Sequence, residues 1–339
     1  METAAIDTKY WHRLPEGKVQ CDLCPRNCKL HDGQRGFCYV RGAKNGEVVL
    51  HAYGRTTRPA VDPIEKKPLY HFYPGTPVLS FGTIGCNLAC KFCQNAHISR
   101  CTDTNAMYET SVEQIVGTAE SKGTQHITFT YNEPVVFLEF ARDVAELAHS
   151  RELNTVAVTA GYISEQARSD FFSFIDAANV DLKAFNDEFY KNYTGGRLLP
   201  VLDTLKYIKQ ETDVWLEITT LLISSLNDSE SELHELSEWV AENLGENVPL
   251  HFSAFHPAYK MTDRPRTPLS TLRKARRIAR SKGLNYVYTG NIYDPEGSAT
   301  RCPACRQLLI KRDGYSATKK NMDEMGCCLN CGTQVAGRF

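Results

Sequence analysis

Cys86, Cys90 and Cys93 fall within the stretch IGCNLACKFCQN, spaced by three and then two residues, with no fourth cysteine to complete the set. A closed zinc site takes four ligands, and neither interval suits a disulfide. Three thiolates on an iron–sulfur cluster would leave one iron without a protein ligand, free to bind a small molecule. Spacing alone also allows zinc, with Cys101 or His97 as a distant fourth ligand.

Two further cysteine groups flank this one. Cys302-Pro-Ala-Cys305 and Cys328-Leu-Asn-Cys331 are two C-x2-C pairs, the spacing of a zinc ribbon in which each pair forms a tight knuckle around tetrahedral zinc. A hairpin is expected between them at Asp313-Gly314, with Cys327 as the spare thiol; a second iron–sulfur cluster is the alternative occupant. At the other end, Cys21, Cys24, Cys28 and Cys38 could bind zinc or an auxiliary cluster and are read as a structural metal site.

The elements that position these groups follow from pattern. At 339 residues, with 42% apolar, the chain can hold one large α/β domain with small appendages. Strands are expected at PVLSFGTIG (77–85), 125–131, 155–161, 178–185, 214–223, 248–255 and 285–291. Helices alternate with them at 110–122, after Pro134 (burying Phe137, Ala141, Val144 and Ala148), and at 164–175, 200–210, 229–243 and 269–282. Strand–helix alternation signals a parallel sheet covered by helices. Seven strand candidates are one short of a closed barrel, so the reading is a partial or open (βα) barrel with its chemistry at the C-terminal strand ends. The expected division is an N-terminal Cys-rich segment and proline-rich connector over 1–75, the barrel over 76–295, and a zinc-ribbon-like module over 296–339.

A net charge of −1 gives no global bias toward nucleic acid or anionic membrane. No apolar run is long enough to span a bilayer, and the first residues do not read as a signal peptide. Thirteen cysteines in such a chain argue for reduced thiols and metal, hence a cytoplasmic protein. His51, His71, His126 and His256 read as ordinary surface or core residues, and the basic run 273–283 as a solvated helix face.

The stretch CNLACKFCQN after a first barrel strand resembles the signature of radical S-adenosylmethionine enzymes. That resemblance implies a [4Fe–4S] cluster on Cys86, Cys90 and Cys93. Its open iron would chelate the methionine moiety of S-adenosylmethionine, whose reductive cleavage yields a 5′-deoxyadenosyl radical. Phe92 matches the aromatic residue near the adenine. Other strand ends resemble the pyruvate formate-lyase activase branch. The TYNEP stretch sets Glu133 where relatives hold the methionine ammonium. DLKAF sets Asp181 and Lys183 on one strand face, near the cofactor carboxylate and ribose or as a structural salt bridge. Glu217 in LEITTLLI is expected at its strand's end. Thr159 and Gly161 match a TNGY-like turn, with Ala160 where asparagine is usual.

The CDLCPRNC block, HDGQRGFC, the connector TTRPAVDPIEKKPLYHFYPGT, VYTGNI and the C-terminal cysteine pairs are together similar to the AmmeMemoRadiSam system radical S-adenosylmethionine enzymes, over nearly the whole chain. Ala96 and His97 stand where many relatives carry Trp and Glu, so roles of those side chains do not transfer. The resemblance implies hydrogen abstraction from a protein or metabolite, an electron donor such as flavodoxin or ferredoxin, and Memo-like and AMMECR-like partners. A glycyl-radical activase is the nearest rival. A non-catalytic zinc-binding adaptor is a rival of another class.

Overall fold

The computed structural model describes residues 6–339; residues 1–5, the start of the N-terminal segment and of the stretch read against a signal peptide, lie outside the described residues. The central sheet has eight strands: β1 (Ala60–Pro63), β2 (Pro77–Phe81), β3 (His126–Phe129), β4 (Asn154–Thr159), β5 (Ala177–Asp181), β6 (Trp215–Leu222), β7 (Leu250–Ala254) and β8 (Val287–Gly290). They lie side by side in chain order, and β2 through β8 are parallel. The parallel strands are short, mostly apolar runs largely buried on both faces, as strands between helices must be: in β3 all of His126, Ile127, Thr128 and Phe129 are buried, whereas Ala60 and Val61 of the antiparallel β1 are exposed. The strand that sequence did not reveal is β1, which pairs antiparallel with β2 through Val61↔Leu79. It comes from the proline-rich connector, so the sheet takes in residues before position 76.

Helices α1 (Val112–Ser121), α2 (Leu138–Ser150), α3 (Glu165–Phe172), α4 (Leu199–Glu211), α5 (Glu230–Leu244) and α6 (Leu269–Ser281) connect successive parallel strands. Ser111 starts α1 with a reciprocal capping box to Gln114, satisfying two amides that the first turn leaves open. A 3-10 turn at Pro134–Phe137 leads into α2, whose Ala141, Val144 and Ala148 face the sheet with Phe137. In α6, Leu272, Ala275, Ile278 and Ala279 point inward, leaving the basic run as the outer face. Among the described residues no helix is long and apolar enough to cross a membrane.

The two edge strands β1 and β8 do not pair with each other, so the barrel is open. The C-terminal sheet of Thr300–Arg301, Leu308–Asp313 and Ser316–Lys319 lies beside the β8 edge. Its Leu309 and Ile310 share one apolar cluster with Tyr286 and Tyr288 of the barrel and Tyr70 of the connector. Its hairpin turns at Gly314-Tyr315, with Gly314 at φ 58° and Asp313 paired to Ser316. At the other end of the chain, two small antiparallel sheets carry the first cysteine group, with Cys21 and Cys28 opposite each other on neighbouring strands.

Candidate functional site

A cavity of about 550 Å³ opens at the C-terminal ends of the parallel strands, within the range of small-molecule sites. Cys86, Cys90 and Cys93 line it, on the loop that follows β2. The loop turns at Gly85, whose φ is +78° and where a Cβ would meet the Cys38 carbonyl oxygen at 2.0 Å, so only glycine fits. Asn132 pins the same loop: its side chain accepts from the Thr83 amide at 3.0 Å and donates to the Gly85 carbonyl at 2.9 Å. Cys93 Sγ lies 3.3 Å from Ser99 Oγ. Burial pushes the Cys90 thiol up to about 11 and the Cys86 thiol up as well, with Glu133 the next cause for Cys86. Such thiols need a metal's positive charge to serve as thiolate ligands.

Neither candidate for a fourth ligand reaches this cavity: His97 is exposed and Cys101 donates to the Asp103 carbonyl at 3.6 Å. Nor do the three sulfurs gather as they would around one ion, all within 4.8 Å of one another. A cubane cluster gives each thiolate its own iron corner and holds its ligands further apart, so the set suits a cluster with one open iron.

The other expected residues distribute unevenly. Glu133, at the loop after β3, lines the cavity wall and is 2% exposed. Its carboxylate accepts from the Thr159 hydroxyl at 2.5 Å and the amides of Ala160 at 2.7 Å and Val135 at 3.2 Å. Burial nevertheless holds it above the usual carboxylate range, the hydrogen bonds offsetting only part of that cost. Lys183 and Asp181 also line the cavity, their charges 2.9 Å apart. Burial opposes the Lys183 charge, but Asp181 and Cys90 outweigh it and hold the ammonium above the ordinary lysine range. Strand β5 ends at Asp181, so Lys183 sits in the loop beyond it. Phe92 lines the wall with its ring 5.9 Å from that of Phe189. Thr159 ends β4 and lines the cavity; Gly161, at φ +63°, packs against Val180 and does not.

Glu217 is not at the strand end where sequence reading put it. It is the third residue of β6, fully buried, and its carboxylate accepts from the Tyr70 and His71 amides, Trp215 Nε1 and His251 Nε2. His251 reaches the cavity wall; Glu217 lies behind it.

Sequence reading also missed the connector's share of the cavity. Lys66 and Lys67 line it, and both reach Asp62 at 2.7 Å. Burial disfavours the Asp62 charge, yet the two lysines outweigh it and hold the carboxyl below its usual range. The Glu-Lys-Lys run in IEKKPLY was the one available signal.

Away from the cavity, Cys302, Cys305, Cys328 and Cys331 bring their sulfurs within 4.8 Å of one another, the only such group among the described residues. Cys302–Cys331 and Cys305–Cys328 are 3.5 and 3.6 Å apart. The Thr333 hydroxyl, foremost among several hydrogen bonds, draws the Cys331 thiol down to about 6. Cys327 stands apart, donating to Gln334 Oε1 at 3.0 Å.

An open parallel α/β barrel thus presents a three-thiol loop at its cavity. Residues 81–240, just under half of the chain, match the Radical SAM superfamily. The chain belongs to one family with an uncharacterized protein of Methanocaldococcus jannaschii, 40% identical over 97% of this chain and 98% of the relative. It is also similar to the 4-hydroxyphenylacetate decarboxylase activating enzyme of Clostridium scatologenes, 25% identical over 34% of this chain and 38% of that one. The chain thus spans well under half of that enzyme. Among solved structures, SuiB of Streptococcus suis bound to S-adenosylmethionine shares the fold, with a TM-score of 0.50 and 15% identity over 67% of this chain and 52% of that one. Similarity of residues 81–240 to that superfamily supports radical S-adenosylmethionine chemistry, which uses a [4Fe–4S] cluster and S-adenosylmethionine.

Proposed function

We propose that this chain binds a [4Fe–4S] cluster through Cys86, Cys90 and Cys93 and cleaves S-adenosylmethionine to start hydrogen abstraction from a protein or metabolite. The observation that carries the reading is the three-thiol wall of a cofactor-sized cavity that Cys101 and His97 do not reach. When bound, the cluster supplies the electron that breaks the carbon–sulfur bond of S-adenosylmethionine and releases a 5′-deoxyadenosyl radical.

The chain's own residues hold and shield the cofactor. Glu133 offers its carboxylate to the methionine ammonium, and Thr159 keeps that carboxylate in place. Lys183 and Asp181 offer a cation for the methionine carboxylate and an acceptor for the ribose hydroxyls. Phe92 provides an apolar face for the adenine, and Gly161 shapes the turn behind Ala160. The electron comes from a donor such as flavodoxin or ferredoxin, and Memo-like and AMMECR-like proteins are candidate partners. Cys302, Cys305, Cys328 and Cys331 hold one zinc ion.

The similarity to a decarboxylase activating enzyme favours a second reading, in which the radical is passed to a protein partner as a glycyl radical. The test of the main reading is anaerobic reconstitution of the wild type and Cys90→Ala, followed by assay of 5′-deoxyadenosine with a chemical reductant. The wild type should form it and the variant should not. Full cleavage by Cys90→Ala would sink the assignment.

A further inference from the structure

The thiols of Cys21, Cys24, Cys28 and Cys38 line a single enclosed pocket, separate from the cofactor cavity. Cys21 and Cys28 face each other across paired strands, Cys24 lies in the turn between them, and Cys38 arrives from the following loop. Two independent features point to a ligand. First, Arg26 and Arg41 also line the pocket, and Arg26 Nη2 and Arg41 Nη1 are buried with no hydrogen-bond partner. Arg41 is 1% exposed and already spends its other nitrogens on the Val136 carbonyl and Glu139. The Arg26 guanidinium stacks on the Phe37 ring at 3.6 Å, whereas the open Arg41 donor, buried beside the sulfurs, is accounted for by an anionic tetrathiolate centre accepting from it.

Second, the pocket's spacing distinguishes the occupant. The Cys302 quartet brings its sulfurs within 4.8 Å of one another, as one zinc ion requires, and no three of the N-terminal thiols do so. The Cys86 set likewise does not gather within 4.8 Å.

We propose that Cys21, Cys24, Cys28 and Cys38 hold a second [4Fe–4S] cluster in place of a zinc ion. Four protein thiolates leave no open iron, which suits one-electron storage and not substrate binding. The site abuts the cofactor cavity: Asn87 lines this pocket while its neighbours Cys86 and Leu88 line the other. Arg26 Nε donates to the Asn87 carbonyl at 2.8 Å, and the Cys38 carbonyl lies against Gly85. One thickness of backbone, residues 85–88, separates the two centres.

The test is iron, sulfide and zinc analysis with electron paramagnetic resonance on the full chain, reconstituted anaerobically. The proposal shares the iron–sulfur chemistry of the function above but not its ligands. Wild type should carry about eight irons and about one zinc. A Cys86/Cys90/Cys93→Ala triple variant should keep about four irons, with a reduced-cluster signal that S-adenosylmethionine does not alter. Adding Cys24→Ala and Cys38→Ala should remove that iron. Whether iron falls in the triple variant decides the Cys86 site; whether it falls again with Cys24 and Cys38 decides this one. Iron unchanged by the second step overturns the proposal. So does a wild type with about four irons and about two zincs, a result that needs no variant to fold.

Discussion

Thr159 and Glu133 come from different strand ends and meet at 2.5 Å, the threonine hydroxyl donating to the carboxylate. The next residue completes the hold through its backbone, since the Ala160 amide donates to the other oxygen at 2.7 Å. The alanine at position 160 therefore costs this contact nothing, since the hold runs through its backbone. A carboxylate has four acceptor sites, so Glu133 keeps capacity for a ligand ammonium on the cavity side.

Glu133→Gln should therefore weaken S-adenosylmethionine binding without unfolding the site. The amide oxygen can still accept from Thr159 and Val135, which share Oε1, while the charge and the bond from the Ala160 amide are lost. Loss of one charge-assisted bond in a buried wall costs about 1.5–3 kcal/mol, roughly a tenfold to hundredfold drop in affinity. Binding measured on reconstituted protein of unchanged iron content checks it. Equal affinities would reduce Glu133 to a structural carboxylate.

Glu217 should behave in the opposite way. Its charge is disfavoured by burial, but His251 and the other donors outweigh this and hold the carboxyl below its usual range. Glu217→Ala strands two amides, an indole N–H and a histidine in the barrel interior, a loss of about 3–5 kcal/mol. Urea unfolding should show this fall, while folded variant protein binds S-adenosylmethionine close to wild type. Normal stability with lost binding would restore the cofactor role that sequence reading gave it.

Acid should destabilise the fold through His71 and His126. Burial pushes both rings down to about 4. His71 Nδ1 lies 2.6 Å from the Ala336 carbonyl and Nε2 2.5 Å from the Tyr288 hydroxyl, an arrangement that a neutral ring satisfies. The unfolded rings take protons below about pH 6.5 while the folded rings refuse them until about 4. Stability should fall across that window by up to about 1.4 kcal/mol per pH unit for each ring. Urea midpoints between pH 7 and 5 should drop less steeply in His71→Gln. Parallel slopes in the two proteins would show that the ring does not titrate in this range.

The parallel strands were legible because each is a short apolar run between amphipathic helices, a pattern that local sequence fully expresses. Strand β1 was not, since its four residues, Ala60–Pro63, end in proline and gain strand character only by pairing with Pro77–Phe81. The depth of Glu217 was hidden for a related reason: alternation tells which face a residue takes, not how far along the strand it sits. Asp181 and Lys183 pair at 2.9 Å, but not from one strand face as alternation suggested, because the strand ends at Asp181 and Lys183 lies in the loop beyond it. The cysteine groups announced themselves by spacing, but the partnership of the connector with the C-terminal sheet is tertiary and left no local mark.

That partnership gives the last prediction. Arg312 sits on a hairpin strand that reads as a surface element, yet its guanidinium is buried against the connector. It donates to the carbonyls of Ser298 at 3.0 Å and Tyr70 at 2.7 Å and to the Thr300 hydroxyl at 2.8 Å. Its charge lies 4.0 Å from the Tyr70 ring centroid and 3.7 Å from Glu65, with neither charged side chain exposed. Arg312→Met leaves the Glu65 carboxylate buried and unpaired, at a cost of about 3–5 kcal/mol. Adding Glu65→Gln removes the stranded charge and should recover a large part of the loss, a coupling that only contacting residues show. Because Tyr70 also lines the cofactor cavity, the damage should reach the barrel as well as the C-terminal sheet. Urea unfolding followed by tryptophan fluorescence and by metal release should therefore give one coincident, lowered transition in Arg312→Met. Early metal release with an unshifted fluorescence transition would show instead that residues 300–339 unfold on their own and do not brace the open edge of the barrel.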